Sequence, residues 1–279
     1  MIDPRHEKAG IDQGVLRTPA GEDLEADRPI VLPKRFGLVG TNERALDVWG
    51  VVGHAAHTGF MVESAADEGN SYNGYFGMVL ENLFLDGRQK ANGADVGGAQ
   101  WSRIRNVCVR RVLSCALHLR NQSHSVLIEG LDVEGTLAED EPAVSLVGVK
   151  SITGMGGHLR LLPWGLNVEG HGVDWRGLKL ERVGRMRWAG QGHEVRVADW
   201  QWPAEELLDL EGDEGGSRYV LTLRKTEHKE LAVLGPDGKR HLVPKLDART
   251  VVGNRPGTIE IRTRLGAWGK VKMEMERVA

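Results

Sequence analysis

No stretch of the chain approaches ~20 consecutive apolar residues, so none of it reads as a membrane-spanning helix. The start, Met1 to Leu16, is charged and lacks the apolar middle of a secretory leader. Cysteine is almost absent: Cys108 and Cys115 are the only two, too few for a disulfide framework. The repeat described below puts Cys108 at an outward position, and both are expected as free thiols. Charge of one sign is also lacking. The 36 basic and 39 acidic residues are interspersed and leave a net charge of −3, so no bulk field points to nucleic acid or an anionic membrane. Phe and Tyr are scarce, 4 and 3, whereas Gly is abundant at 37. A Gly-rich, Val/Leu-rich, turn-dense chain fits an all-β solenoid better than a helical protein. At 279 residues it holds one large domain or two smaller ones.

What is present is a repeat. Leu80-Glu81-Asn82-Leu83-Phe84-Leu85 returns 24 residues later as Ile104-Arg105-Asn106-Val107-Cys108-Val109, and 24 further on as Ile128-Glu129-Gly130-Leu131-Asp132-Val133. A third step of 24 lands on Ile152-Thr153-Gly154-Met155, a weaker copy, and a step of 23 on Trp175-Arg176-Gly177-Leu178-Lys179-Leu180. The Asn/Gly position suits a bend with positive φ, which those residues tolerate best. A second apolar pair precedes each main strand: Leu117/Leu119, Val144/Leu146, Leu166/Val168 and Met186/Trp188. One coil cannot bury its inner face alone, but a stack can. The chain therefore reads as an all-β, right-handed parallel β-helix of ~24-residue coils, about seven to eight of them, with a small C-terminal antiparallel β module. The expected division is an N-terminal arm (1–28), the β-helix (29–203) and the C-terminal module (204–279). Pro203 and the acidic, Gly-rich run that follows mark the last boundary. Beyond it, hairpins are expected at 232–243, around Pro236-Asp237-Gly238-Lys239, and at 258–275, around Gly266-Ala267-Trp268-Gly269.

The stretch Arg28-Pro29-Ile30-Val31-Leu32-Pro33-Lys34-Arg35-Phe36-Gly37-Leu38-Val39-Gly40 resembles the opening coil of pectate-lyase-like β-helix proteins, in particular phage tail spikes and fibres. The resemblance spans about residues 12–202 and is one of pattern. It implies a virion protein, assembled in the host cytoplasm, with other virion proteins as partners and a homotrimeric state; secretion is the alternative location. Two sequence features of the family's enzymes are missing, the clustered Asp pairs of polygalacturonases and the acidic calcium ligands of pectate lyases. No cofactor or metal is expected. His54-x-x-His57 lacks a third ligand nearby.

Stacking the coils aligns outward positions about 4.8 Å apart. One column reads Glu81, Arg105, Glu129, Thr153, Arg176; another reads Asp86, Arg110, Glu134 and, past the weak coil, Glu181. Alternating charge suits a ladder that fixes coil register. The catalytic alternative is glycan hydrolysis or lysis by Asp86 and Glu134, roughly 9–10 Å apart across two coils, with Arg110 between them. That spacing borders the ~6.5–9.5 Å of inverting carboxylate pairs, yet a neighbouring guanidinium disfavours a protonated acid. Trp175 and Trp188 fall on inner columns and are expected in the core, while Trp200 and Trp202 share a parity in their strand and are expected to fill the wide terminal coil. Trp101 and Trp164 lie at bends. With Tyr72 and Tyr75 of the long acidic loop after Glu63, they are the candidate glycan- or partner-binding residues, because an exposed ring beside Arg or His suits sugar stacking or a protein contact. Three functions thus stand open: a structural phage protein for assembly or host-glycan attachment, a polysaccharide-degrading enzyme, and a carbohydrate-binding module without turnover.

Overall fold

The computed structural model describes residues 11–12, 15–18, 21–32, 37–40, 50–54, 57–64, 75–201, 206–223, 231–243 and 257–278, with the side chains of 11, 12, 15, 75, 76 and 277 left aside. Pro33–Phe36 of the opening motif, the strand expected at Asp47–Trp49, Tyr72 and Trp202 lie outside these residues. The fold is a parallel β-solenoid closed at its C-terminal end by antiparallel strands.

Each coil presents three faces. The first stacks Val15–Arg17, Gly37–Val39, the start of Val79–Asp86, the start of Arg103–Val112, Leu127–Glu129, Thr153–Met155, the start of Asp174–Gln191, the start of Glu194–Gln201 and Arg218–Leu223, all in parallel. The second starts with Leu24–Ala26 and Val51–Gly53. It continues through the later halves of Val79–Asp86 and Arg103–Val112, Asp132–Thr136 and the start of His158–His171. The third runs from Ile30–Leu32 through Phe60–Ser64, Asn92–Gly97, Leu117–Arg120 and Val144–Lys150, and on to Glu206–Asp209 and Leu231–Leu234.

The bends explain the repeat. Asn82, Asn106, Gly130, Gly156 and Gly177 occupy one column between the first and second faces, with φ of 52°, 51°, 63°, 65° and 78°. The left-handed bend expected at the Asn/Gly position is present on four of these coils, and on the weak coil it falls at Gly156 instead of Gly154. Neighbouring asparagines also join across coils, Asn106 Nδ2 donating to Asn82 Oδ1 at 3.1 Å. Between bends, alternate residues point inward and stack. One inner column is Leu16, Leu38, Leu80, Ile104, Ile128, Gly154, Trp175, Val195, Tyr219, and all its apolar side chains are buried. Trp175 and Trp188 are fully buried, as their inner-column positions predict, and so is Trp200 in the terminal coils.

Three sequence readings shift. The weak coil lies two residues later than a constant step places it. Gly154, not Ile152, pairs with Ile128, so the first outward column runs Glu81, Arg105, Glu129, Met155, Arg176 without Thr153. The column neighbours of Asp132 are Cys108 and His158. The cause is the acidic bend Leu137–Pro142, which lengthens the path from Val133 to Val144 to 11 residues, against 8 from Val109 to Leu117 one coil earlier. Second, parallel stacking extends beyond both ends expected for it. Val15–Arg17 and Leu24–Ala26 already lie in the ladder ahead of residue 29, and Arg218–Leu223 and Leu231–Leu234 continue it after residue 203. Third, Cys108 alternates with inward Val107 and Val109 but is itself only 3% exposed. Neither cysteine is in a disulfide, and burial pushes the thiol of Cys115 up to about 12.

The antiparallel part consists of Arg240–Leu242 on Leu231–Leu234, and of Gly257–Leu265 with Val271–Val278 laid against Arg218–Leu223. Both hairpins match their sequence signals, including the Gly238 turn at φ 70°. The last parallel strand of the first face, Arg218–Leu223, is tied to the closing hairpin by charge. Arg218 donates to Glu260 through Nε at 2.8 Å and Nη2 at 3.0 Å, and to Glu194 through Nη1 at 3.0 Å; Arg262 also pairs with Glu260. The Arg218 hydrogen bond, above all, holds the Glu260 carboxyl at about 2, down from its ordinary 4.5. A depressed acid contributes stability above its unfolded value and loses it as pH falls toward its folded value. Acidification from pH 4.5 to 2 is therefore expected to lower the urea midpoint more in the parent than in Glu260→Gln, whose midpoint is already lower at neutral pH. Parallel pH dependences for the two proteins would refute this tie.

Candidate functional site

The outward charges of the second face form a ladder. Asp86, Arg110, Glu134, Arg160 and Glu181 occupy successive coils. Arg160 fills the place the weak coil left open. Arg110 Nη1 lies 2.7 Å from Glu134 Oε2 and 3.2 Å from Asp132 Oδ1, while Arg160 approaches the same two carboxylates at 3.2 and 3.4 Å. Asp86 turns away from Arg110. Its carboxylate takes Nε of Arg111 at 3.0 Å, pairs with a second Arg111 nitrogen, and accepts the Arg88 backbone N–H at 3.0 Å. The three candidate catalytic residues thus share a column, but guanidinium groups occupy both carboxylates. What this geometry does is join coils.

A second polar cluster, on the third face, was not visible in the sequence because its coils were not aligned there. Glu63 and Asp95 are register partners on adjacent coils, and His118 follows Asp95 on the next. Arg120 grips both Asp95 oxygens, Nε at 2.9 and 3.0 Å and Nη2 at 2.9 Å, and His118 Nδ1 lies 3.3 Å away. Burial alone would raise the Asp95 carboxyl, but the His118 and Arg120 hydrogen bonds outweigh it and hold it low. Burial, then the Asp95 charge, push Glu63 the other way. Opposite shifts in neighbouring carboxyls are the pattern of an acid/base pair. Here, however, the bidentate Arg120 leaves Asp95 no open oxygen edge, and its bonds to Asp95 join two adjacent coils.

The aromatic candidates part company. Trp164 is half-buried, with the Arg185 guanidinium 4.1 Å over its ring and its indole N–H donated to the Leu166 carbonyl at 3.1 Å. Arg185 is itself held by Asp209 at 2.8 Å. That ring face is taken. Tyr75 lies beside Trp101 in the backbone, since Tyr75–Phe76 pairs with Ala99–Gln100 immediately before it. Trp101 is 63% exposed. Its ring meets that of His124 edge-on, centroids 5.0 Å apart at 84°, and its backbone N–H donates to the His124 carbonyl at 3.2 Å.

The backbone under Trp101 is left-handed, as it also is under the exposed Leu161 and Trp268. The corner between the third and first faces has its own left-handed column: Gly77, Trp101, Ser125, Ser151, Gly172, Gly192 and Gly216, with φ from 46° to 74°. Six coils meet this demand with Gly or Ser. One meets it with Trp, for which left-handed backbone costs on the order of 1 kcal/mol or more. The ring gains little burial in return, so packing does not account for the choice.

No protein-family model and no curated protein matches the chain. Among solved structures it is similar to Geobacillus virus E2 ORF18, at 10% identity over 95% of this chain and 66% of that one, with a TM-score of 0.49. It therefore spans just under two thirds of that protein's length. It is also similar to PfbA, a surface protein and adhesin of Streptococcus pneumoniae, at 10% identity over 77% and 73% of the two chains, with a TM-score of 0.41.

Proposed function

We propose that this chain is a structural attachment protein of a bacteriophage virion, a stiff solenoid that holds a surface polysaccharide at the Trp101 corner. The observation that carries the attachment reading is the strained, exposed Trp101 in a column otherwise built of Gly and Ser. Strain that the fold does not require points to function. A rigid, amphipathic indole braced by His124 is a stacking platform for a sugar ring. Coil-to-coil backbone hydrogen bonds at the corner keep it in place, as in Ser125 N–H to Lys150 O and Ser151 N–H to His171 O, at 3.2 and 2.9 Å. The virion half of the reading comes from the resemblance of the Arg28–Gly40 stretch to phage β-helix proteins. Other virion proteins are then its neighbours, in a homo-oligomer.

The test is Trp101→Gly, assayed for binding to purified bacterial surface polysaccharide by intrinsic fluorescence and sedimentation. Glycine relieves the left-handed strain but gives up backbone entropy and the His124 contact, so folding stability is expected to change by no more than about 1 kcal/mol. Binding is expected to weaken at least tenfold, the loss of about 1.4 kcal/mol that one stacking contact supplies. Unchanged binding in a folded Trp101→Gly protein, or no retention of polysaccharide by the parent, refutes the attachment reading.

A further inference from the structure

Asp95, His118, Ser145, Asn167 and Arg187 stand in one outward column of the third face, one to a coil. In order, the side chains are a carboxylate, an imidazole, a hydroxyl, an amide and a guanidinium. Successive members lie about 4.8 Å apart at the backbone. His118 Nδ1 faces Asp95 Oδ1 at 3.3 Å, and the Phe60 ring stacks on the imidazole, centroids 6.2 Å apart at 27°. Arg120 pins the same carboxylate. The two nitrogens of an imidazole lie on opposite edges of the ring, so Nε2 is turned outward and toward the next coil. It has no partner among the described residues. There stands Ser145, 8% exposed. Its hydroxyl also lacks a partner among the described residues, yet the oxygen is not sealed from solvent. Asn167 follows, equally buried. Its Oδ1 accepts Arg187 Nη1 at 3.1 Å from the far coil, and its Nδ2 gives one proton to Glu169 Oε1 at 3.4 Å, which leaves a second amide proton. The nearby thiol is no rival nucleophile: Cys115 Sγ donates to the Ala143 carbonyl at 3.6 Å, and burial keeps it protonated.

We infer that this column is a hydrolytic site for short-chain carboxylic esters, with Ser145 as nucleophile, His118 as base, Asp95 positioning the imidazole and Asn167 binding the oxyanion. The inference is independent of the Trp101 reading. A carboxylate, an imidazole and a hydroxyl in this order form a nucleophilic relay, which is recognised by geometry rather than chain position. His118 Nε2 takes the Ser145 proton as Oγ bonds to the acyl carbon, and the carbonyl π pair moves onto its oxygen, where the free Asn167 amide proton meets it. Collapse breaks the ester C–O bond, and the departing alkoxide takes the proton from Nε2. Water then repeats the sequence on the acylated serine. Nε2 takes its proton, its oxygen bonds to the acyl carbon, and Ser145 Oγ leaves and regains a proton from Nε2. The net change is ester plus water to acid plus alcohol, with no further reactant. Asp95 stays an anion throughout and stabilises the imidazolium of each half-reaction. The Nε2–Oγ hydrogen bond is open in this structure; such bonds commonly close when substrate arrives. The outward surface of a sheet is shallow, which suits a short acyl group rather than a long chain.

The test uses the full chain, with p-nitrophenyl acetate as substrate and diisopropyl fluorophosphate as covalent probe. The expected result is turnover above the buffer rate and a diisopropylphosphoryl group on the peptide that carries Ser145. Ser145→Ala should remove both, and His118→Asn should lower both at least about a hundredfold. Asp95→Asn should lower kcat at least about a hundredfold with KM within about twofold, a split that mere loosening of the coil would not give. Ser145→Ala removes a hydroxyl that has no protein partner among the described residues, so its urea midpoint should match the parent and separate lost turnover from lost fold. Label on another residue or on none, or turnover unchanged in Ser145→Ala, overturns the inference. Neither outcome bears on Trp101.

Discussion

Replacing Asp213 with alanine is expected to lower the folding stability of the chain by about 3–5 kcal/mol, the range for removing a buried charge from its hydrogen-bonded partners. Asp213 is 3% exposed and sits where the last coil meets the closing hairpin. Its Oδ1 accepts the Gly215 backbone N–H at 2.7 Å, the Thr263 hydroxyl at 3.0 Å and the Ser217 hydroxyl at 3.2 Å; its Oδ2 accepts the Tyr219 hydroxyl at 2.6 Å. Thr263 belongs to the hairpin and the others to the last coil. The carboxylate is therefore the joint between parallel and antiparallel pairing. Its loss strands three buried hydroxyls at once. The hairpin amides of Ile259 and Ile261 should exchange faster in Asp213→Ala, while those of Ile104 and Ile128, deep in the solenoid, change only with global unfolding. Tyr219→Phe removes one of the four bonds and should cost about 1–2 kcal/mol. Burial, and then the Asp213 charge, push the Tyr219 hydroxyl well above its ordinary value of 10. The folded chain thus keeps a proton the unfolded chain releases. Stability is full below pH 10 and lost as pH rises above it, a loss that Tyr219→Phe should remove. Uniform exchange across hairpin and solenoid in Asp213→Ala would show that the carboxylate is not a local joint.

The second large effect lies in the core column. Gly154 and Trp175 are register partners on adjacent coils, and a Cβ built at Gly154 falls 2.3 Å from Trp175 Cδ2. The indole thus occupies space that its neighbours Ile104 and Ile128 fill with their own side chains, and its N–H donates to the Gly156 carbonyl at 2.9 Å. Gly154→Ile should cost upward of about 3 kcal/mol, because the coil below cannot yield without breaking its ladder. Trp175→Val should cost about 2–4 kcal/mol through the cavity it leaves. Together they restore one branched side chain per coil, so the double variant should be more stable than either single one, with a coupling of at least about 2 kcal/mol. Urea midpoints of the four proteins measure it. Simple additivity would mean that the two sites do not share their volume.

Much of this architecture is local and therefore legible in the sequence. The alternation of apolar residues sets which side chains face inward, and the Asn/Gly bend recurs because each coil turns through the same left-handed backbone. Trp175 and Trp188 could be placed in the core by parity alone. The two C-terminal hairpins announce themselves through their turn residues. The alternating charges of Asp86, Arg110 and Glu134 were likewise readable, since a constant step aligns them.

What the sequence left undecided depends on sums over distance. The acidic bend at Leu137–Pro142 adds residues to one coil, and every register beyond it shifts; only stacking reveals that Gly154 and not Ile152 lies over Ile128. The third face, with Glu63, Asp95, His118 and Arg120, stayed hidden for the same reason. Its coils are separated by loops of unequal length, so no fixed period brings the two carboxylates together. Likewise a Trp at position 101 is one residue among many until the corner column shows that six other coils use Gly or Ser there. Periodicity is a property of neighbours along the chain and determined the coil. Which residues meet across coils was decided by the packing of inner columns, a cooperative choice in which each rung settles where the one below it leaves room.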